Sequence, residues 1–365
     1  MPVEVEEVEL RPLGPIDVLI RVTAANACVT DAMFMGLGAS AEHPLPFPLP
    51  MPQIMGHGAV GVVEAVGEGV RWTRTGDRVV ATGNPLCRTC WYCSQGRPDQ
   101  CVGIVLSGPV LGRTADGAEV FPNANIGGYA EHAIVPEIHV TPVETEVPDD
   151  ELALLADGLG GGLGGALLVS PVDFGSNVAV FGCGACGLGY VQGARLRGAE
   201  RIFAVDPIES RRQLAVELGA TDALDPSAGD VVETILGATP DRGGMYPRGV
   251  EYAFEASGDE RAIEQAFAVT RSAGHVVLAS VPWNLAASVS LPAVPLAIFG
   301  KTIHSCQWGH INIVRDLARL IRLLERGEVR AGPLVGGHVR LDELEPALNR
   351  VAARETMSAV VTPTP

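Results

Sequence analysis

The segment that most constrains this chain runs from Asn177 to Asp206 and reads NVAVFGCGACGLGYVQGARLRGAERIFAVD. Its apolar, β-branched beginning (178–181) predicts a buried parallel strand. A helical stretch (188–197) and a second apolar strand (202–205) follow, and that strand ends on an acid. Between the first strand and the helix stand glycines in the order G-x-G-x-x-G, namely Gly182, Gly184 and Gly187. The segment is typical of a dinucleotide-binding βαβ unit; the alternative is an ordinary tight turn between strand and helix.

Each part of this fingerprint has a physical role in binding a dinucleotide. Gly182 permits the tight turn, Gly184 lets the backbone approach a pyrophosphate, and Gly187 lets the helix pack close to the sheet. The free N–H groups at the start of the helix face the phosphate charge. Asp206 can accept hydrogen bonds from ribose hydroxyls, and its charge disfavours the 2′-phosphate of NADP, so we expect NAD. Cys186 belongs to a C-x2-C pair inside the fingerprint, and we assign it to the cofactor surface rather than to a metal or redox site.

Composition limits the class of protein. At 365 residues the chain is long for one core, so two domains are expected. A net charge of −17 without a Lys/Arg-rich run argues against a nucleic-acid partner. The acidic N-terminus is unlike a signal peptide, and Pro171 and Asp173 interrupt the most apolar segment (159–181), which argues against a membrane span. We therefore expect a cytoplasmic protein whose eight cysteines are thiols or metal ligands rather than disulfides.

Four cysteines occur close together in the pattern C-x2-C-x2-C-x7-C, and these are Cys87, Cys90, Cys93 and Cys101. The polar and charged residues between them predict a surface loop. Four thiolates on one short loop can close a tetrahedral site, for which Zn²⁺ is the ordinary occupant, and the metal orders a loop that would not hold its shape alone. The alternative is four unrelated buried thiols.

The rest of the chain alternates predicted strands and helices. Strands are expected within 1–26 and 127–143, at 250–256 and 275–281, and after 300; helices are expected at 149–169, 209–219, 260–272, 313–326 and near 341–354. The helix at 149–169 carries the run DGLGGGLGG, which weakens a helix and suggests the close approach of another group. A proline-rich loop from His43 to Pro52 offers Leu45, Phe47 and Leu49 as walls of a pocket.

The order of these motifs, with Cys28 and His57 upstream, resembles that of the zinc-containing alcohol dehydrogenases of the medium-chain dehydrogenase/reductase superfamily. The resemblance covers nearly the whole chain, and its most specific part is the four-cysteine lobe (87–101), which in that family holds a structural zinc. It implies an α/β protein with a GroES-like, β-rich catalytic domain at 1–158 and 307–365. A Rossmann domain with a doubly wound parallel sheet is implied at 159–306. The active site is expected in the cleft between the domains, and the assembly as a homodimer or homotetramer.

The resemblance also assigns residues to the site. Cys28 and His57 match the first two ligands of the family's catalytic zinc, and Thr30 matches the residue that bonds the substrate oxygen and relays its proton. Asp31 matches the carboxylate that orients the ligand histidine. Taken alone, His57 would be consistent with a core histidine and Thr30 with a backbone cap. The positions that match residues around the cofactor are Arg211 near the adenosine ribose, and Val281, Cys306 and Trp308 near the nicotinamide, with Cys306 otherwise a pocket or core residue.

The chain departs from the family pattern at several positions. The third zinc ligand of the family is usually Cys or Glu, and the matching position here is Asp157. Gly58 stands where the family usually has a Glu after the histidine. Met33 replaces the relay histidine, and Val29 replaces an Arg that often binds the pyrophosphate. A carboxylate is a competent zinc ligand and keeps the −1 charge of a thiolate, so we predict that Asp157 completes a catalytic zinc site. The alternative is that Asp157 caps local backbone and leaves Cys28 and His57 as an incomplete pair. Without His at position 33, the proton outlet passes to water or to His43.

These assignments imply a zinc-assisted, NAD-dependent oxidoreductase that acts on a small-molecule alcohol/carbonyl pair by hydride transfer. The apolar pocket candidates favour a hydrophobic or aromatic substrate over a sugar. The runner-up, motivated by Gly58, Met33 and Asp157, is a relative without catalytic zinc that reduces a polarised C=C or C=N bond. A third hypothesis is a non-catalytic NAD-binding protein on a borrowed fold. The joint presence of Cys28 and His57 with Thr30 and Asp31 argues against it.

Overall fold

The computed structural model describes residues 3–37, 42 and 48–363. These residues form two compact units. The terminal unit comprises the described residues up to Asp157 together with those from Ile311 onward, and the central unit spans Gly158–His310. The domain limits given above remain a proposal. His43, Leu45 and Phe47, which the sequence offers as a proton outlet and as pocket walls, lie outside the described residues.

The strands, numbered along the chain, are β1 (Val8–Leu10), β2 (Asp17–Ala27), β3 (Gln53–Ile54), β4 (Gly58–Val66), β5 (Arg78–Thr82), β6 (Gly112–Thr114), β7 (Glu119–Pro122), β8 (His132–Pro136), β9 (Val140–Pro142), β10 (Asn177–Phe181), β11 (Arg201–Val205), β12 (Asp222–Leu224), β13 (Val250–Glu255), β14 (Thr270–Leu278), β15 (Thr302–Ser305), β16 (His338–Val339) and β17 (Ala359–Val361). The α-helices are α1 (Val29–Phe34), α2 (Trp91–Ser94), α3 (Asp149–Leu155), α4 (Gly158–Gly164), α5 (Ala185–Leu196), α6 (Glu209–Leu218), α7 (Val231–Ala238), α8 (Glu260–Val269), α9 (Ala293–Ile298), α10 (Ile313–Glu325) and α11 (Leu344–Ala352).

The terminal unit is β-rich. Its larger sheet has the strand order β16-β17-β2-β4-β5-β9, with β8 also paired to β2, and a smaller sheet has the order β1-β6-β7-β3. Strand β2 is almost wholly buried because it lies in the middle of the larger sheet, and Val18, Ile20 and Val22 pack in the main core. Helix α11 adds Leu344 and Leu348 to that core, so residues from both ends of the chain build one hydrophobic interior.

The central unit contains a six-stranded parallel sheet with the order β12-β11-β10-β13-β14-β15. The strand order reverses direction after β10, which is the doubly wound arrangement predicted from the βαβ segment. Phe181 and Phe203 on adjacent strands pack with Phe267 of α8 in the core. Because all strands run in one direction, their carboxyl ends share one edge of the sheet, where a doubly wound sheet binds its ligand.

Four sequence predictions need correction. The helix predicted at 149–169 breaks into α3, α4 and a π-helix at Gly165–Val169, because the glycine run supplies little intrinsic helix stability. The helix predicted at 260–272 ends at Val269, and β14 begins at Thr270 because Thr270 pairs with Val250. That strand ends at Leu278, before the predicted end at 281. The alternating valines at 3 and 5 do not belong to a strand; β1 begins at Val8.

Among the described residues, none of the individual helices has both the length and the apolar composition that crossing a membrane requires. The pair Asp149–Leu155 and Gly158–Val169 meets that criterion jointly, by length and composition alone and across a bend.

Candidate metal centres and nucleotide site

Three potential metal ligands from distant parts of the sequence meet inside the terminal unit. Cys28 follows β2 and stands at the N-cap of α1, His57 directly precedes β4, and Asp157 follows α3. The sulfur, one ring nitrogen and one carboxylate oxygen lie within 4.8 Å of one another. His57 and Asp157 are buried and Cys28 is half-buried. The structure therefore brings together the three residues that the sequence assigns to a catalytic metal.

Carboxylates hold the imidazole of His57 from both sides. Asp31 Oδ1 lies 3.0 Å from His57 Nδ1, and Asp157 Oδ1 lies 3.2 Å from His57 Nε2. Asp31 is fully buried, and its oxygens also accept hydrogen bonds from the backbone N–H groups of Cys28 (3.1 Å) and Gly56 (3.2 Å). With Nδ1 engaged by Asp31, His57 presents Nε2 to the ligand cluster, which is the orienting arrangement that ligand histidines use.

Two further side chains complete this network, and the sequence analysis did not single them out. Asn26 Nδ2 donates to Asp157 Oδ2 at 2.8 Å, and Tyr129 Oη donates to Asp31 Oδ2 at 2.6 Å. Asn26 stands two residues before Cys28 on β2, while Tyr129 lies in the segment before β8. Their side chains are buried, so both contacts are made away from bulk water.

The electrostatics of the cluster favour a cation at its centre. Burial raises the pKa of the Cys28 thiol to about 11, and the carboxylate of Asp157 adds to the rise. Burial also favours a neutral His57 ring, yet Asp31 and Asp157 outweigh it and raise the pKa of His57 well above its ordinary value. For Asp157, burial favours the neutral acid, but His57 outweighs it and lowers the pKa. A buried cluster with two carboxylates thus needs positive charge.

The donor set fits zinc. Sulfur, imidazole nitrogen and carboxylate oxygen are the three zinc-ligand types of proteins, and catalytic zinc sites keep three protein ligands with one position open. Cys28, His57 and Asp157 supply one ligand of each type. A dication placed among them would be balanced by the thiolate and by the carboxylate of Asp157.

The second group of potential metal ligands in the described residues is the four-cysteine lobe. The Sγ atoms of Cys87, Cys90, Cys93 and Cys101 all lie within 4.8 Å of one another. Backbone N–H groups point at these sulfurs: that of Cys90 at Cys87 Sγ (3.3 Å), that of Cys93 at Cys90 Sγ (3.4 Å) and that of Gly103 at Cys101 Sγ (3.4 Å). Helix α2 begins inside the loop, with Cys90 at its N-cap.

The lobe also fits zinc. A tetrahedral site with Zn–S bonds of about 2.3 Å places its sulfurs about 3.8 Å apart, and Cys87 Sγ lies 3.9 Å from Cys93 Sγ. Burial opposes ionisation of Cys87, but the N–H groups of Cys90 and Thr89 outweigh it and lower its pKa to about 6, whereas burial raises the pKa of Cys93 to about 12. Four adjacent thiols resist carrying four negative charges without a cation, which a metal would supply.

The other residues carried over to the catalytic site lie on or beside α1. Thr30 Oγ1 is 3.6 Å from Cys28 Sγ and half-buried, so its hydroxyl is next to a potential metal ligand. Met33, at the relay position, is buried, and Val29 is 43 % exposed. Gly58 is the first residue of β4, where a Cβ would make ordinary contact with Ala156 at 3.6 Å.

The glycine fingerprint has the geometry expected of a nucleotide loop. Gly182 follows β10 with φ +87°, a conformation that favours glycine, and a Cβ there would lie 2.8 Å from the backbone nitrogen of Ser257. A Cβ at Gly187 would lie 1.7 Å from the carbonyl oxygen of Gly182, so α5 packs too closely for any side chain. At Gly184, by contrast, a Cβ would meet no described atom within 4 Å. The loop is therefore open where a pyrophosphate would approach.

Asp206 connects the fingerprint to the end of β11. Its Oδ2 accepts the backbone N–H of Cys183 (2.8 Å), its Oδ1 accepts that of Ile208 (2.8 Å), and the residue is buried. Arg212 Nη1 donates to the carbonyl oxygen of Asp206 (2.6 Å), and its Nη2 lies 3.2 Å from Asp225 Oδ2. Arg211, the residue assigned to the ribose, is half-buried in the first half of α6.

The predicted nicotinamide residues follow the carboxyl ends of β14 and β15. Val281 is 52 % exposed, whereas Cys306 is buried with its Sγ 3.9 Å from the carbonyl oxygen of Gly161. Trp308 is half-buried and has φ 44°, in a left-handed stretch that continues through Gly309 and His310. All three residues thus belong to the ligand-binding edge of the sheet, although Cys306 is buried beneath it.

The glycine run of α4 is explained by close helix packing. A Cβ at Gly162 would lie 1.9 Å from the carbonyl oxygen of Cys186 in α5, and one at Gly164 would lie 2.5 Å from the carbonyl oxygen of Gly309. A Cβ at Gly165 would lie 2.2 Å from the ring of Tyr190. The groups that approach this run are therefore α5, the fingerprint helix, and the segment that carries Trp308.

Comparison with known proteins gives the same assignment for both parts of the chain. Residues 14–145 match the alcohol dehydrogenase GroES-like domain family, and residues 185–326 match the zinc-binding dehydrogenase family. Among characterised relatives, the chain is 30% identical to the NDMA-dependent alcohol dehydrogenase of Amycolatopsis methanolica, over 94% of this chain and 91% of the relative. It is 31% identical to the geraniol dehydrogenase of Castellaniella defragrans, over 99% and 94%.

A solved structure supports the same grouping. The crystal structure of benzyl alcohol dehydrogenase from Acinetobacter calcoaceticus superimposes with a TM-score of 0.86 at 26% identity, over 98% of this chain and 94% of that one. The fold therefore combines a GroES-like and a Rossmann-type domain, as predicted. The chain belongs to the zinc-containing alcohol dehydrogenase family of the medium-chain dehydrogenase/reductase superfamily, and it is an oxidoreductase of the alcohol/carbonyl class.

Proposed function

We propose that the chain oxidises an alcohol, or reduces the corresponding carbonyl, with NAD as the hydride carrier and a catalytic zinc held by Cys28, His57 and Asp157. The observation that carries this proposal is the meeting of three zinc-ligand atoms within 4.8 Å in the terminal unit. The four-cysteine lobe would hold a second, structural zinc with every position occupied by protein, which excludes a catalytic role. Held by Cys28, His57 and Asp157, a zinc ion would supply Lewis-acid chemistry that lowers the pKa of the alcohol, and NAD would supply the hydride acceptor.

The chain's own residues orient that chemistry. Asp31 fixes the ring of His57 through Nδ1, so that Nε2 remains available as a ligand. Cys28 and Asp157 contribute one negative charge each. Thr30 is the proton acceptor in this proposal, because its Oγ1 lies beside Cys28 Sγ, where the substrate hydroxyl has to bind. Met33 cannot accept a proton from Thr30, so the proton leaves through ribose hydroxyls and water.

The preference for NAD over NADP is proposed from Asp206. Its carboxylate follows β11, at the sheet edge where the adenosine ribose binds in this fold. A negative charge there repels the 2′-phosphate of NADP. Arg211 and Arg212 are the nearby cations that would favour NADP, but in this proposal the acid at the strand end outweighs them. Arg212 is moreover paired with Asp225 and with the Asp206 carbonyl.

The substrate class is proposed from the relatives and from residues near the metal ligands. The relatives include a geraniol dehydrogenase and a benzyl alcohol dehydrogenase, whose names denote apolar alcohols. In this chain, the apolar residues Met33 and Phe34 belong to the same short helix, α1, as Thr30. We therefore propose that the substrate is a hydrophobic or aromatic alcohol rather than a sugar or polyol.

The assembly is proposed to be a homodimer or homotetramer. Strand β15 lies at an edge of the parallel sheet, with Ile303 38 % exposed. Helix α9, just before it, exposes Val294, Leu296 and Ile298. An unpaired edge beside apolar side chains favours association with a second copy. A cytoplasmic location is proposed because the thiol ligands of two zinc sites require a reducing compartment.

Metal analysis tests the catalytic assignment. Purified wild type should contain two zinc ions per chain, and Asp157→Ala should contain one, keep its fold and lose alcohol oxidation, because removing a ligand from a three-ligand site abolishes tight binding. Asp150→Ala, which removes a carboxylate near the start of α3, should keep both metals and activity. One zinc per chain in a fully active wild type would instead support a reductase that lacks catalytic zinc and reduces polarised C=C or C=N bonds.

A further inference from the structure

Among the described residues, Asn26 makes the one hydrogen bond to the carboxylate of the proposed ligand Asp157 that comes from outside the ligand set. We infer that Asn26 is a positioning residue that decides which oxygen of Asp157 faces the catalytic metal. The inference rests on the proposed function, because it assumes that Asp157 binds zinc.

The orientation of the Asn26 amide follows from its partner. Asn26 Nδ2 lies 2.8 Å from Asp157 Oδ2, and Asn26 is 3 % exposed. A carboxylate can only accept hydrogen bonds, so the amide has to present its NH₂ group, since the opposite orientation would bring two acceptors together. The contact is therefore a charge-assisted hydrogen bond to one particular carboxylate oxygen.

The other oxygen of Asp157 faces the ligand cluster. Oδ1 lies 3.2 Å from His57 Nε2, whereas Oδ2 is engaged by Asn26. The amide thus divides the carboxylate into an outer oxygen, which is held by the protein, and an inner oxygen, which is left for a metal. This division makes Asp157 a ligand through one oxygen and prevents rotation of the carboxylate about its Cβ–Cγ bond.

The position of Asn26 also argues for a role beyond packing. Its Oδ1 is buried and has no hydrogen-bond partner among the residues that the structure describes. Its neighbours Ala25 and Ala27 are fully buried in the core of the terminal unit. An apolar residue in the same place would avoid burying an unpaired acceptor, so stability alone does not account for an amide here.

The main chain of Asn26 lies near the second carboxylate of the site. Its backbone oxygen is 3.0 Å from Tyr129 Oη, which donates to Asp31 at 2.6 Å. The tyrosine hydroxyl has one hydrogen, and the shorter contact to Asp31 takes it. Asp31 holds one side of His57 and Asp157 the other. Asn26 therefore acts on the network through its side-chain amide on the Asp157 side, and its carbonyl only lies beside the Asp31 side.

A double-mutant cycle tests whether the effect of Asn26 depends on the type of ligand at position 157. A thiolate ligand has a single donor atom, so it needs no partner to choose between two. Removing the Asn26 amide should therefore matter when position 157 carries a carboxylate and should matter little when it carries a thiolate. The variants are Asn26→Ala, Asn26→Ser, Asp157→Cys and the double variant Asn26→Ala/Asp157→Cys.

The measurement is zinc affinity by chelator competition, with the four-cysteine lobe in the same molecule as the internal reference for folding. Asn26→Ala should weaken binding at the catalytic site about 10- to 100-fold, as loss of a ligand's hydrogen-bond partner usually does. Asn26→Ser, which restores a donor, should recover part of this loss. In the Asp157→Cys background the same Ala substitution should cost less than about threefold. When Co²⁺ replaces zinc, the Asn26→Ala protein should have a visible spectrum different from that of wild type, because the orientation of the Asp157 carboxylate is no longer fixed.

Two results would overturn the inference. An equal loss of affinity in both backgrounds would make Asn26 a general structural residue, and no loss in the Asp157-containing protein would leave it without a role. Failure of the proposed function gives a different result, because wild type would then bind zinc at the four-cysteine lobe alone. That result would overturn the proposed function and this inference together.

Discussion

At the scale of single residues, the same side chain has different roles according to what surrounds it. Asp31 and Asp157 contact opposite nitrogens of His57, yet the carboxylate of Asp31 also accepts backbone N–H groups, whereas that of Asp157 accepts the side-chain amide of Asn26. Backbone hydrogen bonds therefore fix the Asp31 carboxylate, which suits it to orient the ring of His57. Asp157 keeps one oxygen directed at the cluster and is suited to bind a metal. Asp206, in the central unit, holds a glycine loop and a turn.

Asp206 should control cofactor choice. Wild type should use NAD with a kcat/KM at least about tenfold higher than for NADP, because like charges at close range are costly. Asp206→Asn keeps an acceptor for the loop but removes the charge, so it should narrow this ratio about tenfold. Glu233→Gln, which removes an exposed acid on α7 of the same unit, serves as the control and should leave the ratio within about twofold. Equal use of both cofactors by wild type would refute the role of Asp206.

The site could be predicted in part from the sequence because its ligands stand in recognisable local contexts. Cys28, Thr30 and Asp31 share one short stretch, and His57 stands between glycines before a strand. Asn26 and Tyr129 could not be identified in this way. Their partners lie 131 and 98 residues away along the chain, and neither residue type indicates a function by itself. Contacts of this kind are created by the packing of distant segments and become visible only in the structure.

At the scale of elements, we expect the four-cysteine lobe to depend on a bound metal. Helix α2 has four residues, far below the length at which a helix is stable by itself. None of its residues is buried, and Trp91 is 70 % exposed. The helix therefore contributes little to the stability of the loop, and we expect the cysteines to hold the loop through a bound ion.

Cys90→Ser should thus lose one zinc and lower the melting temperature by about 5 °C or more, because metal binding and folding of the lobe are coupled. Ser94→Ala, a change in the same short helix that touches no sulfur, is the matched control and should keep both metals. Metal analysis and thermal unfolding measure the two effects. A Cys90→Ser protein with two zinc ions and an unchanged melting temperature would show that the lobe is not a metal site.

The glycine-rich helix α4 offers a second test at this scale. Gly162→Ala should destabilise the protein by about 1–3 kcal/mol, since its Cβ would lie 1.9 Å from a carbonyl oxygen of α5. Gly237→Ala, in α7, is the matched control: no described atom lies within 4 Å of its Cβ, so it should be neutral or stabilising by up to about 1 kcal/mol. Denaturant unfolding compares the two. A similar effect of both substitutions would contradict the packing argument.

Elements with strong periodicity were predictable, whereas their breaks were not. The βαβ fingerprint was located because strand, glycines and helix follow in a fixed order, and α10 because its apolar residues recur at helical spacing. The break between α3 and α4 depends on which groups approach the glycines, and those groups come from α5 and from the segment near Gly309. β12 and β16 are only three and two residues long, too short for a periodic signal.

At the scale of the whole molecule, association should depend on the exposed apolar stretch from α9 to β15. Ile303→Lys should shift the assembly toward single chains, because a charge on an edge strand opposes pairing with another copy. Val216→Lys, on an exposed face of α6, adds the same charge elsewhere and should leave the assembly unchanged. Light scattering after size-exclusion chromatography gives the mass of each. A wild type that runs as a single chain would refute the proposed oligomer.

The residues that build the two candidate metal centres are separated by very different distances along the chain. The four cysteines of the lobe belong to one short segment, so that centre can form while most of the protein is still being synthesised. The other centre lies against β2, whose residues Ala25, Asn26 and Ala27 pair with β17 at Val361, Val360 and Ala359. The ribosome has to release nearly the whole chain before this edge of the sheet is closed. Incomplete chains would therefore already contain the ligands of the ion proposed to order the lobe, but they would lack the finished surroundings of the ion proposed to support chemistry.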